Sequence, residues 1–431
     1  MYVVVDCDNC FVSCERVFQP ELWGKPVVVL SNNDGCVVAR SNEAKALGIK
    51  MGVPIYQIAA LCRQHDVQIR SSNYILYADM SNRIMSILRE EVGPGMMEQY
   101  SIDEAFLTID LKMDFREWGE ALVKKIGRWT GMPVSIGIAP TRTLAKAATW
   151  FAKKFKGYNK VCIIDNEERR EKALKALAVE EVWGIGWRGQ DKCRYHGIQK
   201  AWDFTEKSAS WVRQNFTITG LRTWKELKGE SCIDTVLTGA KQTICTSRSF
   251  NGMVSKKGEL EMYVSNYAAH CAEKLRAQHS VCSLVTVFIA TNTFREDLAQ
   301  YGTSITATLS TPASSTIEVT EAALRAFRAC YKEGYQYKRA GVIVSGISSD
   351  KAIQLDIFDV LTPEQRSKYN RLSEVVDTIN RKMGNDTVIL GVQQFPKDPK
   401  TGEVSNFRNL IKHEHRSKCY TTKIDELIEV K

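Results

Sequence analysis

The run Glu98-Gln99-Tyr100-Ser101-Ile102-Asp103-Glu104-Ala105-Phe106-Leu107 sets two adjacent carboxylates, Asp103 and Glu104, inside an apolar stretch that otherwise reads as β-structure. Ionised acids are costly to bury there, and the usual partner for paired carboxylates is a cation. A third acid stands at the start of the chain. Met1-Tyr2-Val3-Val4-Val5-Asp6-Cys7-Asp8 opens with β-branched residues that predict a buried strand ending in Asp6. Together Asp6, Asp103 and Glu104 would hold two hard divalent ions about 4 Å apart, the arrangement that supports in-line displacement at phosphorus. Taken alone, the acids also allow a plainer reading, in which Asp6 and Asp8 cap the following helix and Asp103 and Glu104 occupy a hairpin turn.

The bulk numbers bound the answer. At 431 residues, 44% hydrophobic and 25% charged, the chain is too long for one ordinary core and fits a globular protein of two to four units. Its net charge of +9 favours polyanionic partners, although 59 basic against 50 acidic residues is a modest excess. No apolar run approaches a membrane span, and Asp6 falls where a signal peptide would need its apolar region, so a cytoplasmic protein with no membrane partner is expected. The 13 cysteines are scattered without the spacing of a disulfide framework, which suits reduced thiols. Cys7, Cys10 and Cys14 have a C-x2-C-x3-C spacing, but no second cluster accompanies them and the segment runs from strand into helix, so a metal–thiolate site is not expected.

Further motifs follow the first strand in order. They are Phe11, Ser13-Cys14-Glu15, Lys25-Pro26-Val27-Val28-Val29, and Asn42-Glu43-Ala44-Lys45-Ala46-Leu47-Gly48-Ile49-Lys50-Met51-Gly52, before the acidic run. In order and spacing the set resembles the Y-family, lesion-bypass DNA polymerases. Within that family, Leu30 to Cys36, Ser71-Ser72-Asn73-Tyr74, Leu76 to Arg83 and Val182-Trp183-Gly184-Ile185-Gly186 resemble the polymerase V branch, from residue 1 to the C-terminus.

The resemblance implies an α+β, multidomain right-hand polymerase. Residues 1–10 and 78–165 would form the palm, with strands near 2–7, 97–101, 105–110, 133–139 and 160–164 and helices near 79–92, 115–130 and 142–154. Residues 11–77 would be small fingers, with Cys36, Val38 and Ala39 near the roof over the nascent base pair or, alternatively, in a buried strand. A helical thumb at 166–235 would carry a helix-hairpin-helix turn at Gly184 and Gly186, where bare backbone N–H groups reach a DNA phosphate. After a linker at 236–242, residues 243–350 read β-α-β-β-α-β, the order of a little finger. Arg248, Lys256, Lys257, Arg295 and Lys338 are available there to touch phosphates. Residues 351–431 form a C-terminal tail in which Gln354-Leu355-Asp356-Ile357-Phe358 resembles the peptide by which polymerases dock on the sliding clamp, with Leu355, Ile357 and Phe358 as anchors.

The implied activity is template-directed, low-processivity DNA synthesis past damaged bases in the DNA damage (SOS) response. Asp6, Asp103 and Glu104 are the expected ligands of two Mg2+ ions, with the Cys7 carbonyl as a backbone ligand by resemblance. Lys45 and Lys153 are expected on the triphosphate, and Lys45 stands where many relatives carry arginine. Backbone amides of Asn9, Cys10 and Phe11 can face the phosphates, and Lys146 is expected on the palm near DNA. Phe11 aligns with the aromatic residue that excludes a ribose 2′ hydroxyl. Implied partners are primer-template DNA, deoxynucleoside triphosphates, the sliding clamp, a UmuD-type accessory dimer and RecA, with the protein on the nucleoid when bound to DNA. The competing class is a catalytically silent DNA-binding scaffold of the same fold.

Overall fold

The computed structural model describes residues 1–109, 114–234, 239–351, 361–384, 386–394 and 412–428. The chain divides into two compact units, Met1–Leu237 together with His413–Lys431, and Thr238–Lys412.

The first unit runs β1 (Tyr2–Cys7), α1 (Cys10–Phe18), β2 (Val27–Leu30), β3 (Val37–Arg40), α2 (Asn42–Ala46), α3 (Ile55–Gln64), β4 (Gln68–Ser71) and α4 (Tyr74–Val92). It continues with β5 (Met97–Gln99), β6 (Glu104–Thr108), α5 (Phe115–Thr130), β7 (Val134–Ala139), α6 (Arg142–Lys154) and β8 (Val161–Ile163). Four helices complete it: α7 (Glu167–Ala176), α8 (Trp187–Tyr195), α9 (Ala201–Thr205) and α10 (Ala209–Leu227). The main sheet has the order β5-β6-β1-β7-β8, and only the β7–β8 pair is parallel.

Strand β1 lies at the centre of this sheet and is covered on both faces, which is why its sequence is continuously apolar rather than alternating. Val3, Val5 and Cys7 pack with Leu76, Ile84, Leu122 and Ile126 from α4 and α5. Val4 packs on the other face with Leu144, Ala145 and Ala148 of α6, and that core continues through Leu174, Leu177, Val182, Phe204 and Leu227. Helix α4 begins earlier than its apolar pattern from residue 79 suggests, because Asn73 caps it and accepts from the Leu76 amide at 3.4 Å. The small sheet β3-β2-β4 has its own core of Val28, Leu30, Val37, Ala44, Ile49, Cys62 and Val67.

One glycine decides how closely α6 lies on the sheet. A Cβ at Gly137 in β7 would come within 2.2 Å of the Ala145 carbonyl oxygen and 2.3 Å of the Thr149 nitrogen. These are backbone atoms of α6, which cannot step aside. Gly137→Ala should therefore lower stability by about 3 kcal/mol, at the upper end of overpacking costs, as read by urea unfolding. An unchanged midpoint would mean that α6 can lift off the sheet without penalty.

The second unit runs β9 (Ile244–Val254), α11 (Lys257–Ala277), β10 (Ser280–Thr291), β11 (Gly302–Ala313), α12 (Thr316–Cys330), β12 (Tyr337–Ser349) and α13 (Pro363–Met383). Its antiparallel sheet has the order β11-β10-β12-β9. One face is covered by α11 and α12, where Val264, Tyr267, Leu275, Val319 and Phe327 meet Val285, Val287, Val342 and Val344. Helix α13 is held to this unit by Arg366–Glu318 at 2.6 Å and by two 2.7 Å bonds from Arg276 to Asp377. The C-terminal tail thus divides, because residues 363–394 belong to the second unit while His413 onward returns to the first. Among the described residues no helix is long and apolar enough to cross a membrane. All thirteen cysteines are free thiols.

Candidate active site

Sheet register brings the acids together. Asp6 at the end of β1 is the direct cross-strand partner of Glu104 at the start of β6. The Cys7 amide donates to the Asp103 carbonyl at 2.9 Å, which pins the acidic turn to the first strand. Ser101 shapes that turn: its Oγ donates to Asp103 Oδ1 at 2.5 Å and accepts from the amides of Asp103 and Glu104 at 3.2 and 3.0 Å. Asp103 therefore does sit in a hairpin turn, as the plainer reading supposed, and still lies beside the strand that carries Asp6. Asp8 does not cap α1. Its carboxylate accepts from Ser135 Oγ at 2.9 and 3.0 Å and from Lys160 at 2.8 Å, and the α1 N-terminus begins at Asn9 with no side-chain cap.

The electrostatics of the pair call for a cation. Burial and a hydrogen bond to Glu104 push Asp6 up to about 8, against the pull of Lys153. Glu104 is also penalised by burial, yet the hydrogen bond to Asp6 and the Lys146 ammonium hold it below its ordinary value. The two shifts run in opposite directions because the carboxyls face each other across the register. Lys153 pairs with Asp6, and Lys146 reaches Glu104 Oε1 at 2.5 Å. Burial works against the charge of Lys153, but Asp6, Asp8 and Glu104 hold it above its ordinary value.

Lys45 has a neutral partner instead. Lys45 donates to Asn9 Oδ1 at 2.6 Å, and Asn9 sits at φ 49°, a left-handed conformation that asparagine tolerates. Burial lowers the Lys45 pKa, with repulsion from Arg40 and Lys153 adding to it. Arg40, Lys45 and Lys153 thus form a cluster suited to a polyanion beside the uncapped α1 N-terminus. Arg40 was not among the residues expected from sequence. Its only signal there is a basic residue ending the Val37-Val38-Ala39-Arg40 strand.

Among the described residues no three His, Cys, Asp or Glu side chains are already gathered as a metal cage. The donor set nonetheless fits hard divalent ions. It consists of carboxylate and carbonyl oxygens, and Asp6 and Glu104 are each paired with an ammonium group, Lys153 and Lys146, whose charge a dication can replace. Cys7, Cys10 and Cys14 are buried free thiols beside this site.

Phe11 stacks on Tyr77 with ring centroids 4.5 Å apart and planes at 15°, and meets Tyr74 edge-on at 5.9 Å. It is half-buried and also packs on the core of the first unit. Val38 is half-buried on the same strand face as Arg40 and Ala39 is buried on the other, and both pack on that core. Gly184 has φ +94°, and a Cβ there would meet Thr223 Oγ1 at 2.4 Å, so only glycine fits the turn. Gly186 caps α8 with open space around it, and the preceding Trp183 donates to Tyr100 OH at 3.3 Å. Gln354, Leu355, Ile357 and Phe358 lie outside the described residues.

Of the little-finger cations, Arg295 is engaged by Asp297 at 2.6 and 2.7 Å and Lys338 by the Phe250 and Gly252 carbonyls. The sheet face not covered by helices instead presents Thr286, Thr306 and Phe288 with Arg339 over its ring at 5.5 Å, and Arg339 was also not anticipated.

The chain is 38% identical over 436 residues to Protein UmuC of Salmonella typhimurium, covering 100% of both sequences. Residues 5–150 match the impB/mucB/samB family, and residues 241–357 match the C-terminal domain of that family. The chain belongs to this family. Another similar impB/mucB/samB relative is Protein ImpB of Salmonella typhimurium, 36% identical over 98% of both chains. DNA polymerase IV 1 of Halalkalibacterium halodurans is 24% identical over 95% of this chain and 98% of that protein. A solved Y-family DNA polymerase chimera of Dbh and Dpo4 superposes with a TM-score of 0.66 at 22% identity, over 81% of this chain and 100% of that one. The impB/mucB/samB chain therefore has the Y-family polymerase fold. Residues 370–430 match a domain of unknown function, DUF4113.

Proposed function

We propose that the protein is a template-directed DNA polymerase that extends primers past damaged bases by two-metal nucleotidyl transfer in the DNA damage response. The observation that carries this reading is the register that sets Asp6 opposite Glu104, with Asp103 in the adjoining turn and the Arg40, Lys45 and Lys153 cations alongside. Asp6, Asp103, Glu104 and the Cys7 carbonyl would hold two Mg2+ ions, which supply activation of the primer 3′ hydroxyl and neutralisation of the pyrophosphate. Lys45, Lys153 and Arg40, with the amides of Asn9, Cys10 and Phe11 at the α1 N-terminus, bind and orient the triphosphate. Phe11 stands under the sugar.

In this reading residues 1–10 and 78–165 are the palm, 11–77 the fingers, 166–235 the thumb and 243–350 the little finger. The Gly186 turn and the Thr286, Thr306 and Arg339 face of the second unit bind the DNA backbone. A catalytically silent scaffold is the competing reading. It gives no physical reason to set the buried Asp6 directly opposite a second acid, Glu104. The reading extends to a cytoplasmic enzyme working with a UmuD-type dimer and RecA. Primer extension across an abasic template site tests it: native protein extends, Asp103→Ala does not, and inactivity of both with accessory proteins present would favour the scaffold.

The clamp peptide gives a separate expectation. Replacing Leu355 and Phe358 together by alanine should abolish stimulation by the sliding clamp and leave clamp-free extension unchanged. A normal clamp response would place the docking site elsewhere.

A further inference from the structure

The last described stretch of the chain, residues 412–428, lies within the match to a domain of unknown function, and from His413 it belongs to the first unit. Its hydrogen bonds converge on the wall behind Phe11. Ser417 Oγ donates to Glu15 Oε1 at 3.0 Å, and Tyr77 OH donates to the same oxygen at 2.6 Å. The Tyr77 ring is the one stacked on Phe11. Asn73 Nδ2 donates to the Ser417 and Lys418 carbonyls at 3.1 Å, while its Oδ1 caps the helix turn that carries Tyr74 and Tyr77. Ser71 exchanges two bonds with His415, of 3.1 Å from the Ser71 amide and 2.9 Å to its Oγ. Tyr420 stacks on Phe18 at 4.9 Å, and Cys419 is fully buried.

Glu15 is the centre of this arrangement. It is fully buried, with Gln19 on its other oxygen at 3.0 Å. A buried carboxylate needs its donors, and Ser417 supplies one of them from the far end of the chain. Tyr77 depends on the same carboxylate for its hydroxyl, so the strap, Glu15, Tyr77 and Phe11 form one continuous contact path.

We propose that residues 413–428 are a positioning strap of the nucleotide site, which fixes Tyr77 through Glu15 and Asn73 and thereby sets the Phe11 ring against the incoming sugar. The proposal rests on the sugar-facing reading of Phe11. It gives this part of the match to a domain of unknown function a role in nucleotide selection.

The test uses the full-length protein with Ser417→Ala and the conservative Ser417→Thr. Single-nucleotide insertion is measured with matched ribo- and deoxynucleotides, together with amide hydrogen exchange over residues 10–18 and 71–80. Ser417→Ala should raise the ribonucleotide-to-deoxynucleotide ratio about three- to tenfold and speed exchange in both segments, and Ser417→Thr should restore both. A lowered melting temperature in Ser417→Ala with an unchanged ratio and unchanged exchange would make the strap a structural tie only and overturn the proposal. If Phe11→Ala itself leaves the sugar ratio unchanged, the sugar-facing reading falls. The exchange data then still decide whether the strap holds the Phe11–Tyr77 wall, and unchanged exchange rejects it.

Discussion

Glu104→Ala and Asp103→Ala should each slow nucleotide insertion by about a thousandfold, or about 4 kcal/mol of transition-state stabilisation, because in the proposed two-metal mechanism each removes an oxygen ligand from the reacting centre. Primer-template affinity should change by less than about threefold, since backbone contacts on other parts of the chain dominate it. Glu104→Ala has a second consequence. Lys146 loses its 2.5 Å partner and Asp6 loses the hydrogen bond that helps to raise it, so Asp6 should ionise at lower pH in the variant. Rapid-quench insertion and fluorescence-anisotropy binding on the same DNA separate the two effects. Insertion at the native rate by either variant would remove these acids from the chemistry.

Phe11→Ala should raise ribonucleotide incorporation relative to deoxynucleotide incorporation tenfold or more, because about 1.4 kcal/mol of lost discrimination is a factor of ten. The ring is held on one face by Tyr77 and at its edge by Tyr74, so it cannot turn aside cheaply for a 2′ hydroxyl. Kinetics with each of the two nucleotides check this. Equal loss of rate for both would make Phe11 a packing residue of the first core, which it also touches.

The continuous apolar run before Asp6 announced a buried strand, and the adjacent acids announced a need for a cation. Those signals are local. The register that pairs Asp6 with Glu104 is not, because it depends on two segments about a hundred residues apart choosing one alignment. Arg40 went unnoticed for a similar reason: a basic residue at a strand end has no meaning until the fold sets it beside Lys45 and Lys153. The roof residues differ in burial by strand alternation, Val38 half-buried on the Arg40 face and Ala39 buried on the other, which a short mixed run could not reveal. The C-terminal strap was the least legible part. Its contacts with Asn73 and Glu15 span more than 340 residues and are made by polar side chains and backbone, without any apolar period to read.

The central claim is that Asp6, Asp103 and Glu104 hold divalent metal ions for nucleotidyl transfer. Mn2+ binding followed by electron paramagnetic resonance, on the protein with primer-template and a non-hydrolysable deoxynucleotide, tests it most directly. The account predicts two bound ions in the native complex and loss of at least one in Glu104→Ala at equal nucleotide occupancy; the same number of bound ions in both proteins would contradict it.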